Sequence, residues 1–271
     1  MTRTVEAGWT RVLRSLARVG AALLLVLIAL PIVSLALTLR VSDLGDAVER
    51  GLWQALTLSL TSTTVAAAVL VLLGTPLAWS LARTSSRWAR AIEMLVRLPA
   101  VTPPAVAGVA LLAAFGRQGL FGDSLAELGV ALPFSTAAVI IAQVFVAAPF
   151  YVLPLQDAFR EIDEDMLWTA RSLGASPTRV FFRISLPLAM PSLLSGLAIG
   201  WARALGEFGA TLVFAGNLPG TTQTLPIAIY TAMEGDLGPA RAMAIVLLVV
   251  AMLLFLVLRS KPLASMLGRS R

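Results

Sequence analysis

Hydrophobic and polar residues are distributed along this chain in long blocks. Apolar runs of about 20 residues, each long enough as a helix to cross the ~30 Å hydrocarbon core of a bilayer, alternate with short charged or glycine- and proline-rich connections. The pattern predicts six spans, at about 20–39, 52–81, 94–115, 135–155, 186–214 and 240–258. It divides the chain into a basic N-terminal segment (1–19), a six-span transmembrane domain (20–258) and a basic tail (259–271). The first run follows Arg3, Arg11, Arg14 and Arg18. It is longer than the apolar core of a signal peptide and further spans follow it, so it is expected to stay as an anchor, kinked at Pro31.

Several runs carry features that a plain spanning helix lacks. Thr57, Thr61 and Thr64 share one face of the second run; such hydroxyls either line a polar route or bond the carbonyl four residues back, and the second use is the commoner. The third run opens LPAVTPPAVAG, and Pro99, Pro103, Pro104 and Gly108 are not all compatible with a regular helix. Irregular backbone at membrane depth needs protein or a watery cavity to satisfy it. Pro103 and Pro104 are therefore candidates for a conduit or gate, set against a simple helix break at the interface. The glycine-rich connection 116–133 is expected to hold a short surface helix, and AAPFYVLP to interrupt the fourth run before the next charged loop.

Composition narrows the chemistry. With 58% hydrophobic and 13% charged residues the chain is a polytopic membrane protein. It has neither cysteine nor histidine, which removes disulfides, thiolate or histidine catalysis and Cys/His metal sites. Its single lysine, Lys261, precedes Pro262, so no phosphate-binding G-x-x-x-x-G-K-[ST] loop exists. The chain is thus expected to be no enzyme and to bind no cofactor or metal of its own. A net charge of +6 could point to nucleic acid, but topology accounts for it better: 16 of the 21 Lys and Arg fall in 1–19, 82–97, 156–183 and 259–271. By the positive-inside rule these segments, both termini included, are cytoplasmic, leaving Arg40, Arg50 and Arg117 outside.

The most charged stretch is the third of these cytoplasmic segments, about 157–183. Asp157, Glu161, Asp163, Glu164 and Asp165 cluster near its start, and Arg160, Arg171, Arg179 and Arg183 are spread through it. The order predicts two short helices: Asp163 caps the first, Arg171 lies in its last turn, Gly174 ends it in the left-handed region, and Ser176 caps a second that begins at Pro177. Ala170, Arg171, Leu173, Gly174, Ala175 and Ser176, with nine residues between Gly174 and the Ile184 and Pro187 of the sequence ISLP, resemble the signature loop of ABC-importer permease subunits. Trp168 and Thr169 stand where that family has Glu and Ala. The resemblance implies a loop that docks into a partner ATPase. The plain alternative is an amphipathic interfacial helix without a partner.

Within the fifth run Ser192, Gly196, Gly200 and Ala204 form a small-residue stripe suited to close helix approach. Beside it Arg203 and Glu207, four apart, can pair. Charges in a span either serve a pathway or neutralise each other structurally. The segment from Arg203 to Tyr230 holds a GEFGAT sequence (Gly206, Glu207, Thr211), an NLPG turn (Asn217, Pro219, Gly220) and TQTLPIAIY. It is similar to molybdate and tungstate permease subunits, relatives of the sulfate and thiosulfate permeases.

That resemblance implies an all-α integral membrane protein with the type I ABC-importer permease fold and cytoplasmic coupling helices. It implies a homodimer embedded in lipid in the bacterial inner membrane, two ABC ATPase subunits carrying ATP and Mg, and an external oxyanion-binding protein docking near Asn217, Pro219 and Gly220. Arg203, Gly206, Glu207 and Thr211 join the prolines as candidates for the pathway or gate. A sulfate permease, or an ATP-independent channel or carrier using the Arg203/Glu207 pair, stands as the alternative.

Overall fold

A computed structural model describes residues 2–259, which are helical with no strand. Most of the basic tail lies outside the described residues, as do the side chains of Arg3 and Arg11. Helix α1 (Thr2–Leu37) and the short α2 (Val41–Glu49) lead into α3 (Leu52–Val69), which passes through a wider π turn, Leu70–Gly74, into α4 (Thr75–Ala82). Then come α5 (Arg87–Val101), α6 (Pro104–Phe115), α7 (Gly122–Glu127), α8 (Thr136–Arg160), α9 (Glu164–Ser172) and α10 (Pro177–Val180). A second π turn, Phe181–Ser185, joins α10 to α11 (Leu186–Leu205), followed by α12 (Gly209–Ala215), α13 (Leu225–Met233) and α14 (Leu237–Arg259). Both π turns have one cause. Pro76 and Pro187 cannot donate to the carbonyls four residues back, Leu72 and Arg183, and the helix widens around those carbonyls.

Five helical stretches are long and apolar enough to cross a membrane: Leu16–Leu37, Leu52–Ala82, Thr136–Arg160, Pro177–Leu205 and Leu237–Leu254. The third expected run departs from a regular helix where its prolines predict: it is interrupted at Thr102 and Pro103, and only Pro104–Phe115 is apolar throughout. At 12 residues that helix is about 18 Å long, short of the hydrocarbon thickness. The fifth run also departs, since α11 stops at Leu205 and α12 restarts at Gly209. The fourth errs the other way: α8 continues through Pro149 and Pro154 to Arg160 without a break. The expected short helix in 116–133 is α7.

Helix α8 is the axis of the packing. Its inner half buries Tyr151, Val152, Leu155 and Phe159 against Leu70, Ala78, Leu167 and Val180. Its other half buries Ala138, Val139, Ala142 and Val146 against α6 and α12. The small-residue stripe of α11 lies on it as the spacing predicts: a Cβ at Gly196 would come within 3.2 Å of the Tyr151 carbonyl, and at Gly200 within 3.6 Å of Tyr151 and Ala147. Gly74 meets the Tyr151 ring in the same way, and the Tyr151 hydroxyl shares a 2.6 Å hydrogen bond with Thr75.

Candidate functional site

The charged loop folds as its sequence predicts. Asp163 accepts a hydrogen bond from the Asp165 N–H, Ser176 accepts one from the Arg179 N–H, Pro177 stands in the first turn of α10, and Gly174 takes φ +85°. One face of this α9–α10 pair is anchored. Leu167 and Val180 are buried in the α8 core, and Ala170, Ala175 and Ile184 pack against it. The other face projects outward, with Leu173 84% and Trp168 61% exposed and the Arg171 guanidinium 5.5 Å over the Trp168 ring. Pro187 lies in the first turn of α11, beyond the π turn. The loop is therefore a rigid knob with an apolar and cationic tip.

Side chains that the sequence pattern did not single out hold this knob to the bundle. Arg83, at the end of α4, stacks 4.7 Å over Trp79, donates to the Phe159 carbonyl at 2.9 Å and approaches Glu164, in the first turn of α9, at 3.8 Å. Burial pulls the Arg83 guanidinium below its ordinary value, and Glu164 opposes that shift. Beside it Glu93 of α5 accepts hydrogen bonds from Arg97 (2.7 Å), Arg160 (2.8 Å) and Gln156 (3.0 Å). The Arg97 bond foremost, then those from Arg160 and Gln156, holds the Glu93 carboxyl at about 2. Glu93 and Arg97 at i, i+4 were visible as a pair. Their partners on α8, 60 and more residues away, were not.

The second cluster is a pair of helix breaks placed against each other. Pro103 precedes α6 and Pro104 begins it; Gly206 and Glu207 separate α11 from α12. A Cβ at Gly209 would stand 2.6 Å from the Pro104 Cβ, and one at Gly108 would stand 2.5 Å from the Val213 Cβ. Glycine at both positions lets α6 and α12 lie in direct contact. Glu207, 1% exposed, closes the break: one carboxylate oxygen accepts from Arg203 at 2.8 Å, the other from the Ala210 N–H at 2.8 Å. The expected Arg203/Glu207 pair thus forms, but its carboxylate also caps α12 and faces no opening. Thr211 is fully buried, with no hydrogen-bond partner for its hydroxyl among the described residues. These residues meet at the Ala138–Val146 half of α8, and the charged knob meets the Tyr151–Phe159 half.

The third cluster is the loop 216–224. Gly216 and Gly220 take φ +77° and +76°. Asn217 donates to Thr231 at 2.9 Å and accepts from Gln223 at 2.9 Å. Thr222 accepts from the Leu218 N–H at 2.9 Å, and Ser59 of α3 accepts from the Leu225 N–H at 2.7 Å. Asn217, Pro219 and Gly220 are exposed on a loop that is pinned from within.

Residues 71–260 match the model of the family described as "Binding-protein-dependent transport system inner membrane component". The chain belongs to that permease family. Its members include ABC permeases whose ATP is hydrolysed by a separate ATPase subunit, and the matched region takes in both helix breaks and the knob. Among relatives of this permease, the "Molybdenum transport system permease protein ModB" of Mycobacterium tuberculosis (strain ATCC 25618 / H37Rv) is 42% identical over 233 residues, 86% of this chain and 88% of that one. The protein of the same name from Escherichia coli (strain K12) is 36% identical over 209 residues, 76% of this chain and 91% of its own. Among solved structures, a bacterial alginate ABC transporter in complex with its pentasaccharide-bound periplasmic protein has a chain that superposes with a TM-score of 0.70 at 18% identity, over 92% of this permease and 94% of that chain. A chain of the inward-facing MetNI methionine ABC transporter gives 0.59 at 20% identity, over 81% and 95%. At those identities the likeness establishes the fold.

Proposed function

We propose that this chain is the membrane-spanning permease of an ABC importer for molybdate, with tungstate as the companion substrate. The observation that carries the substrate is the 36–42% identity, over three quarters or more of the chain, to permeases named for molybdenum transport. The chain works as one of two identical copies, with two cytoplasmic ATPase subunits carrying ATP and Mg and an external oxyanion-binding protein. It crosses the inner membrane six times with both termini inside, the short α6 together with the end of α5 from about residue 94 serving as the third span.

Coupling runs through the α9–α10 knob. Leu173, Trp168 and Arg171 enter the ATPase, and closure of the ATPase pair on ATP moves the knob. Because the knob is joined to α8 by its buried face and to α4 by Arg83, that motion reaches the spans as a displacement of whole helices. ATP can drive the switch only through a difference in its affinity for the inward- and outward-facing states. A loaded binding protein, resting on the pinned loop around Asn217, Pro219 and Gly220, favours the outward-facing state and releases its anion into the conduit between the two copies.

The test is ATP hydrolysis by the purified complex in proteoliposomes, with its binding protein loaded in turn with molybdate, tungstate and sulfate. Stimulation by the first two and not by sulfate is the expected result. Stimulation by sulfate alone would overturn the substrate, and failure to copurify with any ATPase would overturn the coupling.

A further inference from the structure

Two hollows adjoin at the start of α3. One, of about 290 Å³, is lined by Arg50, Gln54, Pro219, Gln223 and Thr231 among others. The other, of about 460 Å³, runs along α3 past Gln54, Thr57 and Thr61 to Gly220. The Gln54 side chain stands between them, its amide nitrogen 2.5 Å from where a Cβ at Gly220 would lie, and Gly220 itself takes φ +76°, which favours glycine. Neither hollow has a carboxylate in its lining. Arg50 and Gln54 are both exposed, and among the described residues the Arg50 guanidinium and the Gln54 amide make no hydrogen bond or ion pair to the protein.

Below this point the exposed face of α3 carries three threonines, with Val65 and Ala68 beside the last of them. Thr57, Thr61 and Thr64 are all exposed, and their hydroxyls donate to the carbonyls of Trp53, Thr57 and Leu60 at 2.7–2.8 Å. The back-bonding expected from the sequence is therefore present, and it fixes the three oxygens in an outward-facing row. Each hydroxyl spends its single donor on the helix backbone, so the row turns only acceptor lone pairs outward and is no part of an anion site.

We infer that Arg50 and Gln54 form a receiving site for a tetrahedral, doubly charged oxyanion at the outer mouth. This rests on the proposed function, which supplies the direction and the anion. A guanidinium presents two parallel N–H groups to two oxygens of one tetrahedron, and the Gln54 amide adds a neutral donor beside it. A single positive charge in an open hollow attracts a dianion without trapping it, as a hand-over site requires.

The experiment measures uptake of radiolabelled molybdate and ATP hydrolysis together, in proteoliposomes of the full complex supplied with molybdate-loaded binding protein. It compares the wild type with Arg50→Gln, Arg50→Lys and Gln54→Leu. At saturating binding protein, molybdate imported per ATP falls about tenfold in Arg50→Gln and roughly threefold in Gln54→Leu, as expected for losing a charged and a neutral donor respectively. Arg50→Lys restores part of the loss, and the concentration of binding protein giving half-maximal uptake stays where it was. Unchanged uptake per ATP in Arg50→Gln would overturn the site. So would a change confined to that half-maximal concentration, since Arg50 would then be a contact for the binding protein. If the wild-type complex imports no molybdate, the substrate assignment fails, and the same comparison with radiolabelled sulfate still decides the Arg50 site.

Discussion

Replacing Glu207 by Gln is expected to damage the permease as a structure and leave its anion preference alone. The carboxylate is 1% exposed and each oxygen has one partner, Arg203 at 2.8 Å and the Ala210 N–H at 2.8 Å. A glutamine keeps one acceptor oxygen, which can serve Ala210 and so preserve the cap on α12. Its NH₂ then faces the Arg203 guanidinium, donor against donor. The loss is one charge-assisted hydrogen bond, worth about 1.5–3 kcal/mol. Arg203 is a third exposed and recovers some hydration, which places the cost near 2 kcal/mol. Glu207→Ala should cost about 3–4 kcal/mol, because the buried Ala210 N–H also loses its acceptor. Thermal unfolding of the detergent-purified complex, followed by tryptophan fluorescence, should give a Tm lower by about 4–8 °C for Glu207→Gln and a larger drop for Glu207→Ala. Uptake would fall for all anions in proportion. A Tm equal to wild type with a changed molybdate-to-sulfate ratio would refute the reasoning and make Glu207 a substrate ligand.

Glu93 should contribute stability that depends on acid. Its folded pKa of about 2 lies below the ordinary carboxylate value of 4.5, so the contribution is complete above pH ~4.5 and is lost as pH falls towards 2. Arg97 and Arg160 are about half exposed, so solvent screening reduces the contribution to about 1–2 kcal/mol. Glu93→Gln should lower Tm at neutral pH, and the gap from wild type should close below pH ~4; a gap independent of pH would show that the charge is not what matters. At Gly174 a Cβ would meet nothing within 4 Å, yet φ is +85°. Gly174→Val therefore adds about 1–2 kcal/mol of backbone strain with no clash, and should weaken ATPase copurification and lower uptake. Normal assembly with full uptake would remove the left-handed turn from the coupling account.

The parts of the molecule legible in the sequence are those set by local chemistry. The caps at Asp163 and Ser176, the turn at Gly174, the short helix after Gly116 and the stripe from Ser192 to Ala204 all follow from residues a few positions apart, and the structure has each of them. The misread stretches depend on distant neighbours. Pro149 and Pro154 stay inside a helix because α8 is surrounded by other helices that fix its path. The fifth run looks continuous in hydropathy, yet it breaks at Gly206 because Glu207 turns its carboxylate onto the Ala210 N–H and α12 must lie against Pro104. The third run, by contrast, divides where its prolines signalled: Pro104 starts a new helix and Thr102, before Pro103, is extended at ψ 127°. Hydropathy averages over such points, and it is equally blind to the Glu93–Gln156 and Arg83–Phe159 contacts between elements.

The arrangement of charge bears on how an anion can pass through such a protein. A dianion is stopped as effectively by a deep cationic well as by a barrier, because it must leave every site that it enters. The cations described at the edges of the spans are mostly matched. Arg203 faces Glu207, Arg241 approaches Asp43 at 3.9 Å while donating to the Thr38 carbonyl, and Arg83 and Arg160 are held by Glu164 and by Glu93 with Asp157. Arg83–Glu164, Arg160–Glu93 and Arg241–Asp43 join one element to another, and Arg203–Glu207 closes a break. Matching of this kind costs less than an isolated charge at membrane depth. It also accounts for the pairing in the fifth run, where the Glu207 carboxylate is taken up by Arg203 and the Ala210 N–H. In an anion conduit, a guanidinium buried at mid-membrane without a carboxylate would hold the substrate that it is meant to release.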